Sequence, residues 1–324
     1  MTRAATAGTE GVAVDLRTSV GSVSLANPVM TASGTAGHGA ELGAYVELAR
    51  LGAVVVKSVS AHAWAGSPAP RLVPLVAAGG MLNSVGLQNP GVEEWLSSQL
   101  PDLARTGATV VASIWGFTAD QYREVAAAIA KAGDRSVVAV EANISCPNIE
   151  DRRRMFAHSV EGVQEAISAA ADGLGGAVPL WAKLSPNVTD LPALAAAASD
   201  SGAEAVTLIN TVMGMAIDPA SGAFRLGGGG GGLSGPAIHP VAVRAVFECR
   251  AALPDIPIIG VGGVSTGVDA AELLAAGADA IQVGTATFAD PRAPARVLAE
   301  LAGWCQSQGV STIEELKGRA HDRH

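Results

Sequence analysis

Cysteine is scarce in this sequence of 324 residues, which contains only Cys146, Cys249 and Cys305, and no two of them form a CxxC pair. A disulfide framework, a zinc site or an iron–sulfur cluster built on cysteines of this chain is therefore not expected. The six histidines show neither an HExxH motif nor i,i+4 pairing, so we predict no metal site and expect them at the surface or in loops. The low cysteine content is typical of the reducing cytoplasm.

Long apolar runs are missing as well: no stretch of about 18 uninterrupted apolar residues occurs, so a transmembrane helix is not expected. Residues 1–11 lack the apolar segment of a signal peptide and are expected to form a flexible tail. Positive charge is also in deficit, since 21 Lys and Arg stand against 30 Asp and Glu, which argues against a broad nucleic-acid surface.

Short runs rich in Val and Ile recur along the chain, and each is almost continuously apolar, as in strands buried on both faces of a parallel sheet. There are eight such runs, at residues 28–33, 53–58, 108–115, 137–145, 179–185, 203–211, 256–263 and 278–285. Segments with helical spacing separate most of them, the clearest being residues 119–131, 191–200, 240–253 and 268–276. This alternation predicts an α/β fold, a single-domain TIM (β/α)8 barrel over residues 12–307 followed by a C-terminal tail at 308–324. An open doubly wound sheet is the alternative.

Three further segments are predicted to decorate the barrel. Residues 12–17 and 23–25 are expected to pair as a small hairpin that closes its bottom. The long connections at residues 59–107 and 212–240 are expected to hold hairpins or a lid at the C-terminal face. The second connection contains six consecutive glycines, Gly227–Gly232, which we expect to form a mobile loop because glycine is so permissive.

Polar side chains gather where the predicted strands end, which is the face at which barrels carry their chemistry. They are two lysines, two asparagines and a cysteine: Lys57, Lys183, Asn143, Asn210 and Cys146. A lysine here could form a Schiff base, or supply a fixed positive charge beside a reduced flavin or an anionic substrate. The Cys146 thiol could act as a base or nucleophile if its surroundings favour the thiolate. Cys249 and Cys305 fall on predicted helices and are expected to be buried hydrophobic residues.

Glycines end the last two strands, in the pairs Gly262-Gly263 and Gly284-Thr285. Barrels commonly hold a phosphate group at this point through backbone N–H groups. Gly235, in the preceding loop, could contribute a third contact. The phosphate could belong to FMN, to a sugar phosphate or to pyridoxal phosphate.

The string Asn143-Ile144-Ser145-Cys146-Pro147-Asn148 resembles the active-site signature of class 1 dihydroorotate dehydrogenases. Residues 81–91 are similar to the orotate-binding loop of that family, and residues 183–187, 209–211, 232–236 and 258–263 also match it in order. The resemblance runs from about residue 12 to about residue 301 and in detail is closest to subfamily 1B. Members of that subfamily work with a second subunit that carries FAD and an iron–sulfur cluster.

The resemblance implies a role for each matching position. Cys146 would remove a proton from C5 of dihydroorotate while C6 delivers a hydride to N5 of FMN, and Lys57 would contact both flavin and orotate. The substrate would be bound by Asn83, Val85, Gly86, Leu87, Asn143, Asn210 and Thr211. The flavin would be contacted by Ser33, Gly34, Ser58, Ser113, Asn143 and Ile209, with Lys183 near its N1 and O2. The FMN phosphate would be held by Gly235, Gly262, Gly263, Gly284 and Thr285.

The chain departs from the family pattern at three places. Ser113 stands where the family usually has Asn, Trp115 follows where it has small residues, and residues 149–154 replace its glycine-rich active-site loop. These departures leave open a related FMN oxidoreductase acting on another dihydropyrimidine. Independently of them, a lyase or aldolase with a Schiff-base lysine and a barrel without catalytic activity remain alternatives.

The electron acceptor is not identified by these residues. No GxGxxG motif opens a βαβ unit, so a site for NAD would have to come from a partner subunit, whereas fumarate or oxygen would need none. The resemblance further implies a homodimer, while the low cysteine content predicts a cytoplasmic protein.

Overall fold

The computed structural model describes residues 14–75, 79–145 and 156–323. Cys146, residues 149–154 and the predicted tail at residues 1–11 lie outside this part of the chain. The strands are β1 Thr18–Val20, β2 Val23–Leu25, β3 Val29–Thr31, β4 Val54–Val55, β5 Leu72–Leu75, β6 Gly80–Asn83, β7 Val110–Ile114, β8 Val137–Asn143, β9 Leu180–Lys183, β10 Ala205–Leu208, β11 Val212–Met215, β12 Gly230–Ser234, β13 Ile258–Val261 and β14 Ala280–Val283.

The α-helices are α1 Val92–Glu94, α2 Leu100–Ala104, α3 Ala119–Ala132, α4 Val160–Leu174, α5 Leu191–Asp200, α6 His239–Ala252, α7 Gly267–Ala275, α8 Ala286–Ala289 and α9 Ala293–Ser307. A π-helical turn, Trp95–Gln99, joins α1 to α2. Short 3₁₀ turns occur at Glu41–Ala44, Leu48–Arg50, Phe156–His158, Pro236–Ile238, Ile313–Glu315 and His321–Arg323. None of the helices in the described ranges combines the length and apolar character needed to cross a membrane.

Eight strands form one parallel sheet: β3, β4, β7, β8, β9, β10, β13 and β14. The first two of them meet through a parallel bridge between Met30 and Ala53, and the Gly52 N–H donates to the Val29 carbonyl at 2.8 Å. The sheet therefore closes on itself. This confirms the predicted TIM barrel, and the open doubly wound alternative is wrong.

Residues along each barrel strand alternate between the interior and the layer of helices outside, because successive side chains of a strand point to opposite faces. On β8, Val140 and Ala142 pack in the outer core, whereas Ala139 belongs to the interior cluster. The ends of the outer helices are set by capping residues close to them in sequence. Helix α3, for example, begins after Thr118, whose hydroxyl accepts from the Gln121 N–H.

The bottom of the barrel is closed by the antiparallel hairpin β1–β2. Its residues Val20, Val23 and Leu25 join the interior cluster that contains Met30 and Trp181. The hairpin was expected from residues 12–17 and 23–25, but its first strand is Thr18–Val20. The reason is the turn at Gly21, whose φ of 56° lets the chain reverse directly between the two strands.

A second, antiparallel sheet stands over the opposite end of the barrel, in the order β11, β12, β6, β5. The expectation of a loop without regular structure at Gly227–Gly232 is wrong for Gly230–Gly232, which belong to β12 and pair it with β11 and β6, whereas Gly227–Gly229 form the turn before it. The glycines allow β12 to pack this closely against its neighbours because they have no side chain. A Cβ on Gly231 would meet the Asn83 carbonyl oxygen, and one on Gly232 would meet the Thr211 side chain.

Candidate active site

A cavity of about 470 Å³ opens at the C-terminal ends of the barrel strands, against β6 and β12 of the antiparallel sheet. Every predicted site residue that the structure describes lines this cavity, with the single exception of Ser113. Cys146 lies outside the described residues, directly after Ser145, which does line the cavity. In the described ranges no cluster of three or more His, Cys, Asp and Glu could hold a metal ion.

Three serine hydroxyls form a chain at the ends of the first three barrel strands. Ser58 Oγ lies 3.2 Å from Ser33 Oγ and 2.8 Å from Ser113 Oγ. Ser33 and Ser58 line the cavity, whereas Ser113 is fully buried behind Ser58. The departure from the usual Asn at Ser113 therefore changes the support of a lining residue, because Ser113 reaches the cavity only through Ser58.

Two asparagines and a serine join the fourth strand to the sixth. Asn143 Nδ2 donates to Ser58 Oγ at 3.1 Å, while Asn143 Oδ1 accepts from Ser145 Oγ at 2.9 Å and from Asn210 Nδ2 at 3.3 Å. Asn210 also donates to Ser145 Oγ, and its own Oδ1 accepts from the Thr211 N–H at 2.8 Å. Both amide groups are therefore held in defined orientations. Sequence reasoning missed Ser145, although it stands inside the recognised signature.

Lys57 presents an ammonium group to the cavity on the side of the second strand. Burial lowers the pKa of this ammonium, and the positive charge of Arg71 lowers it further. The Arg71 guanidinium is held by the carbonyl oxygens of Ser67 and Ala65, at 2.6 and 2.9 Å. The described lining contains no Asp or Glu, so the two lysines that line the cavity favour an anionic ligand.

Lys183 stands above a buried carboxyl group that sequence reasoning also missed. Its Nζ donates to Gln282 Oε1 at 3.2 Å and lies 3.6 Å from Glu141 Oε1. Glu141 Oε2 accepts from Gln282 Nε2 at 2.7 Å and from Thr207 Oγ1 at 3.0 Å. The signal for this cluster was a lone glutamate within the continuous apolar run of the fourth strand.

The loop that resembles an orotate-binding segment curls over the cavity through two residues of left-handed backbone. Gly86 has a φ of 70° and Leu87 a φ of 61°, which is uncommon for a residue with a side chain. The Gly86 carbonyl accepts from Trp64 Nε1 at 3.0 Å. The Trp64 ring in turn packs edge-on against Phe117 and Trp115, with centroids 5.1 and 6.5 Å away. The unusual Trp115 thus belongs to an aromatic cluster that supports this loop.

The loops after the last two strands present free backbone donors. Within the described ranges, the N–H groups of Gly262, Gly263, Gly284 and Thr285 donate no hydrogen bond to the protein, and all four residues line the cavity. The Gly262 carbonyl is held by His239 Nδ1 at 2.8 Å. His239 was expected at the surface or in a loop, but it is buried at the start of α6, because its ring bridges Gly262 and Glu272.

Comparison with known proteins assigns a family to this site. The chain matches the model of the family described as "Dihydroorotate dehydrogenase" over residues 15–304. It is 44% identical over 308 residues to the "Dihydroorotate dehydrogenase B (NAD(+)), catalytic subunit" of Alkaliphilus metalliredigens, covering 94% of this chain and 98% of that protein.

Two further relatives carry the same name. The protein of Desulforudis audaxviator is 45% identical over 305 residues, which is 93% of this chain and 96% of the relative. The protein of Geobacter metallireducens is 41% identical over 304 residues, which is 94% of this chain and 97% of the relative. With the family model spanning almost the whole barrel, the chain belongs to the dihydroorotate dehydrogenase family.

Proposed function

We propose that this protein oxidises (S)-dihydroorotate to orotate with FMN, as a step of pyrimidine biosynthesis in the cytoplasm. The observation that carries the proposal is one cavity in which two lysines, an orientated pair of amides and four free backbone N–H groups converge. Family membership and the names of the relatives support the same reaction.

FMN fits the residues present on three counts. The cavity volume of about 470 Å³ falls in the range of small-molecule and cofactor sites. The N–H groups of Gly262, Gly263, Gly284 and Thr285 offer donors for a phosphate group where barrels bind one. Lys183 places a fixed positive charge at the cavity floor. When bound, FMN would accept the two electrons and leave orientation and electrostatics to the protein.

The substrate is an anion with a ring of amide and imide groups. Asn83, Asn143 and Asn210 line the cavity and can each offer a donor and an acceptor without adding charge. Lys57 would bind the substrate carboxylate, and its neighbour Arg71 adds to the positive potential. Hydrogen bonds from these donors to the ring carbonyl next to C5 would acidify the C5 proton.

Cys146 is proposed as the base that removes this proton. It directly follows Ser145 in the sequence, and the Ser145 hydroxyl, which lines the cavity, donates to Asn143, which supports a role for the Cys146 thiol at this end of the cavity. A thiol of ordinary pKa needs only a modest shift to work as a base near neutral pH. The C5 proton would then reside on Cys146, the electron pair of the broken C5–H bond would form the C5=C6 double bond of orotate, and the hydride from C6 would be taken up by the bound flavin.

Electrons are proposed to leave through a partner subunit that carries FAD and an iron–sulfur cluster. The relatives are named as NAD(+) enzymes and as catalytic subunits. This chain has only three cysteines and no GxGxxG motif that opens a βαβ unit. We further propose that two catalytic chains form a homodimeric core.

The test is an anaerobic absorption spectrum of the FMN-loaded protein during titration with dihydroorotate. We expect the flavin band near about 450 nm to bleach. A Lys57→Met variant should bleach far more slowly, whereas the control Lys131→Met, on the exposed face of α3, should match the wild type.

Other outcomes select the alternatives. Bleaching by dihydrouracil and not by dihydroorotate would favour another dihydropyrimidine as substrate. A protein that takes up no FMN, yet is trapped by borohydride with a carbonyl compound, would establish a Schiff-base enzyme and refute the proposal.

A further inference from the structure

Glu141 is a carboxyl group in the barrel interior with no accessible surface, and no step of the proposed reaction uses it. It stands two residues before Asn143 on β8, so its side chain points to the same interior face one layer below the cavity lining. Burying a carboxylate is costly unless it is paired and hydrogen-bonded, so its partners indicate what it does there.

The partners of Glu141 lead to one lining residue, Lys183. Glu141 Oε1 has no hydrogen-bond partner within the described ranges, and it lies 3.6 Å from Lys183 Nζ. Glu141 Oε2 is saturated by Gln282 Nε2 at 2.7 Å and Thr207 Oγ1 at 3.0 Å. The carboxyl group is therefore clamped by two neutral donors with its second oxygen turned toward the ammonium.

Gln282 completes the arrangement by bridging the two charged groups. Its Oε1 accepts from Lys183 Nζ at 3.2 Å, while its Nε2 donates to Glu141. Flipping this amide would break both hydrogen bonds and place a donor against the ammonium, so its orientation is determined. Lys183, which is 5% exposed, is thus held from below by one hydrogen bond to Gln282 and by the charge of Glu141, and it lines the cavity above them.

We propose that Glu141 is a positioning residue for Lys183 and that this pair sets how strongly the cavity prefers the reduced over the oxidised flavin. The inference rests on the proposed function, since it requires that the cavity bind FMN. Reduction adds negative charge to the ring system, so a nearby cation favours the reduced form and a nearby carboxylate opposes it. Glu141 offsets part of the Lys183 charge and also keeps the ammonium drawn down toward the barrel interior.

The experiment measures two dissociation constants of FMN, for its oxidised and its fully reduced form, by anaerobic fluorescence and absorbance titration. Their ratio gives the shift in midpoint potential on binding. For Glu141→Gln we expect the ratio to move about tenfold toward the reduced form, which is about 30 mV for two electrons. The exposed Glu165→Gln on α4 is the matched control and should leave the ratio unchanged.

A double-variant cycle separates positioning from the simple loss of a charge. In a Lys183→Met background, Glu141→Gln is expected to change the ratio by markedly less than in the wild type, because no ammonium is left to release. Equal effects in both backgrounds would mean that Glu141 acts only as a fixed charge, and the positioning role would be refuted. Glu141→Asp, which keeps the charge but withdraws it by one methylene, should give a smaller shift of the same sign.

The outcomes also keep the two proposals apart. Wild-type protein that binds no FMN would overturn the proposed function itself. Normal FMN binding with an unaltered ratio in Glu141→Gln would leave that function standing and overturn this inference alone. If Glu141→Gln does not fold, Glu141→Asp decides, and an unaltered ratio in that variant likewise overturns the inference.

Discussion

The hydrogen bond from Trp64 Nε1 to the Gly86 carbonyl allows a sharp test of how the substrate loop is held. Trp64→Phe removes this donor and keeps an aromatic ring that can still pack edge-on against Phe117. Gly86 and Leu87 both need left-handed backbone, so the loop depends on outside contacts to keep its shape. The perturbation should therefore be felt at the substrate end of the cavity.

The expected magnitude follows from the single bond removed. A neutral hydrogen bond contributes about 1 kcal/mol net, and Trp64 is only partly buried, so the lost ring area adds little. If this energy serves to hold Gly86 and Leu87 in their binding conformation, the KM for dihydroorotate should rise about fivefold, given about 1.4 kcal/mol for a factor of ten. Affinity for FMN should stay unchanged, because the glycine loops belong to other strands.

The assay is steady-state kinetics combined with FMN titration, on Trp64→Phe and on the control Trp304→Phe. Trp304 lies on α9 in the outer layer, and its side chain makes no hydrogen bond within the described ranges. An unchanged KM in Trp64→Phe would refute the role of this bond in holding the loop. An equal rise in the control would show that the effect is general.

Three further predictions concern the base, a histidine and a partly buried ion pair. Cys146→Ser should slow reduction of the flavin by dihydroorotate at neutral pH and move the pH optimum upward, because a hydroxyl is a far weaker base than a thiol; an unchanged rate–pH profile in stopped flow would exclude the thiol as base. Burial, and then the charge of Lys57, lower the pKa of His38 to about 4, so the folded state resists a proton that the unfolded chain binds near about 6.5. The contribution of His38 to stability is therefore complete above about pH 6.5, and the free energy of unfolding should fall by about 1 kcal/mol toward pH 5, a value already discounted for partial exposure. Denaturant titrations at several pH values should show that the free energy of unfolding depends less on pH in His38→Gln than in the wild type. An equal pH dependence in the two proteins would contradict this account. Arg250→Ala should cost about 2 kcal/mol, because it leaves the partly buried Asp279, now 2.8 Å from the guanidinium, with Lys317 at 3.3 Å as its remaining cationic partner; a loss of stability in urea denaturation below about 0.5 kcal/mol would count against this account.

The barrel could be predicted from the sequence because the patterns that specify it are local and recur along the chain. Each strand is a short apolar run, and the polar residues at the strand ends could be placed on one face by the geometry of the fold alone. That is why Lys57, Asn143, Lys183 and Asn210 were predicted together and line one cavity.

The predictions that failed concern residues whose structural partners are distant in sequence. The six glycines suggested mobility, but β12 pairs with the strands around residues 83 and 213. The local sequence Gly227–Gly232 gives no indication of this pairing. His239 was judged by its isolation in sequence, whereas its partners Gly262 and Glu272 lie more than 20 residues away. Glu141 was passed over within an apolar run, because its partners come from β9, β10 and β14.

The glycine strand that stands over the cavity has a consequence for altering substrate choice by design. Gly230, Gly231 and Gly232 line the cavity without side chains, so this wall would select a ligand by shape and by main-chain polarity. The three positions are not equally open to change. A methyl group on Gly231 or Gly232 would collide with Asn83 or Thr211, whereas the nearest atom to a Cβ on Gly230 is the Gly214 carbonyl oxygen at 3.5 Å. Of the three, only position 230 can accept a side chain without moving its neighbours, so a small library there is the least disruptive way to narrow the pocket.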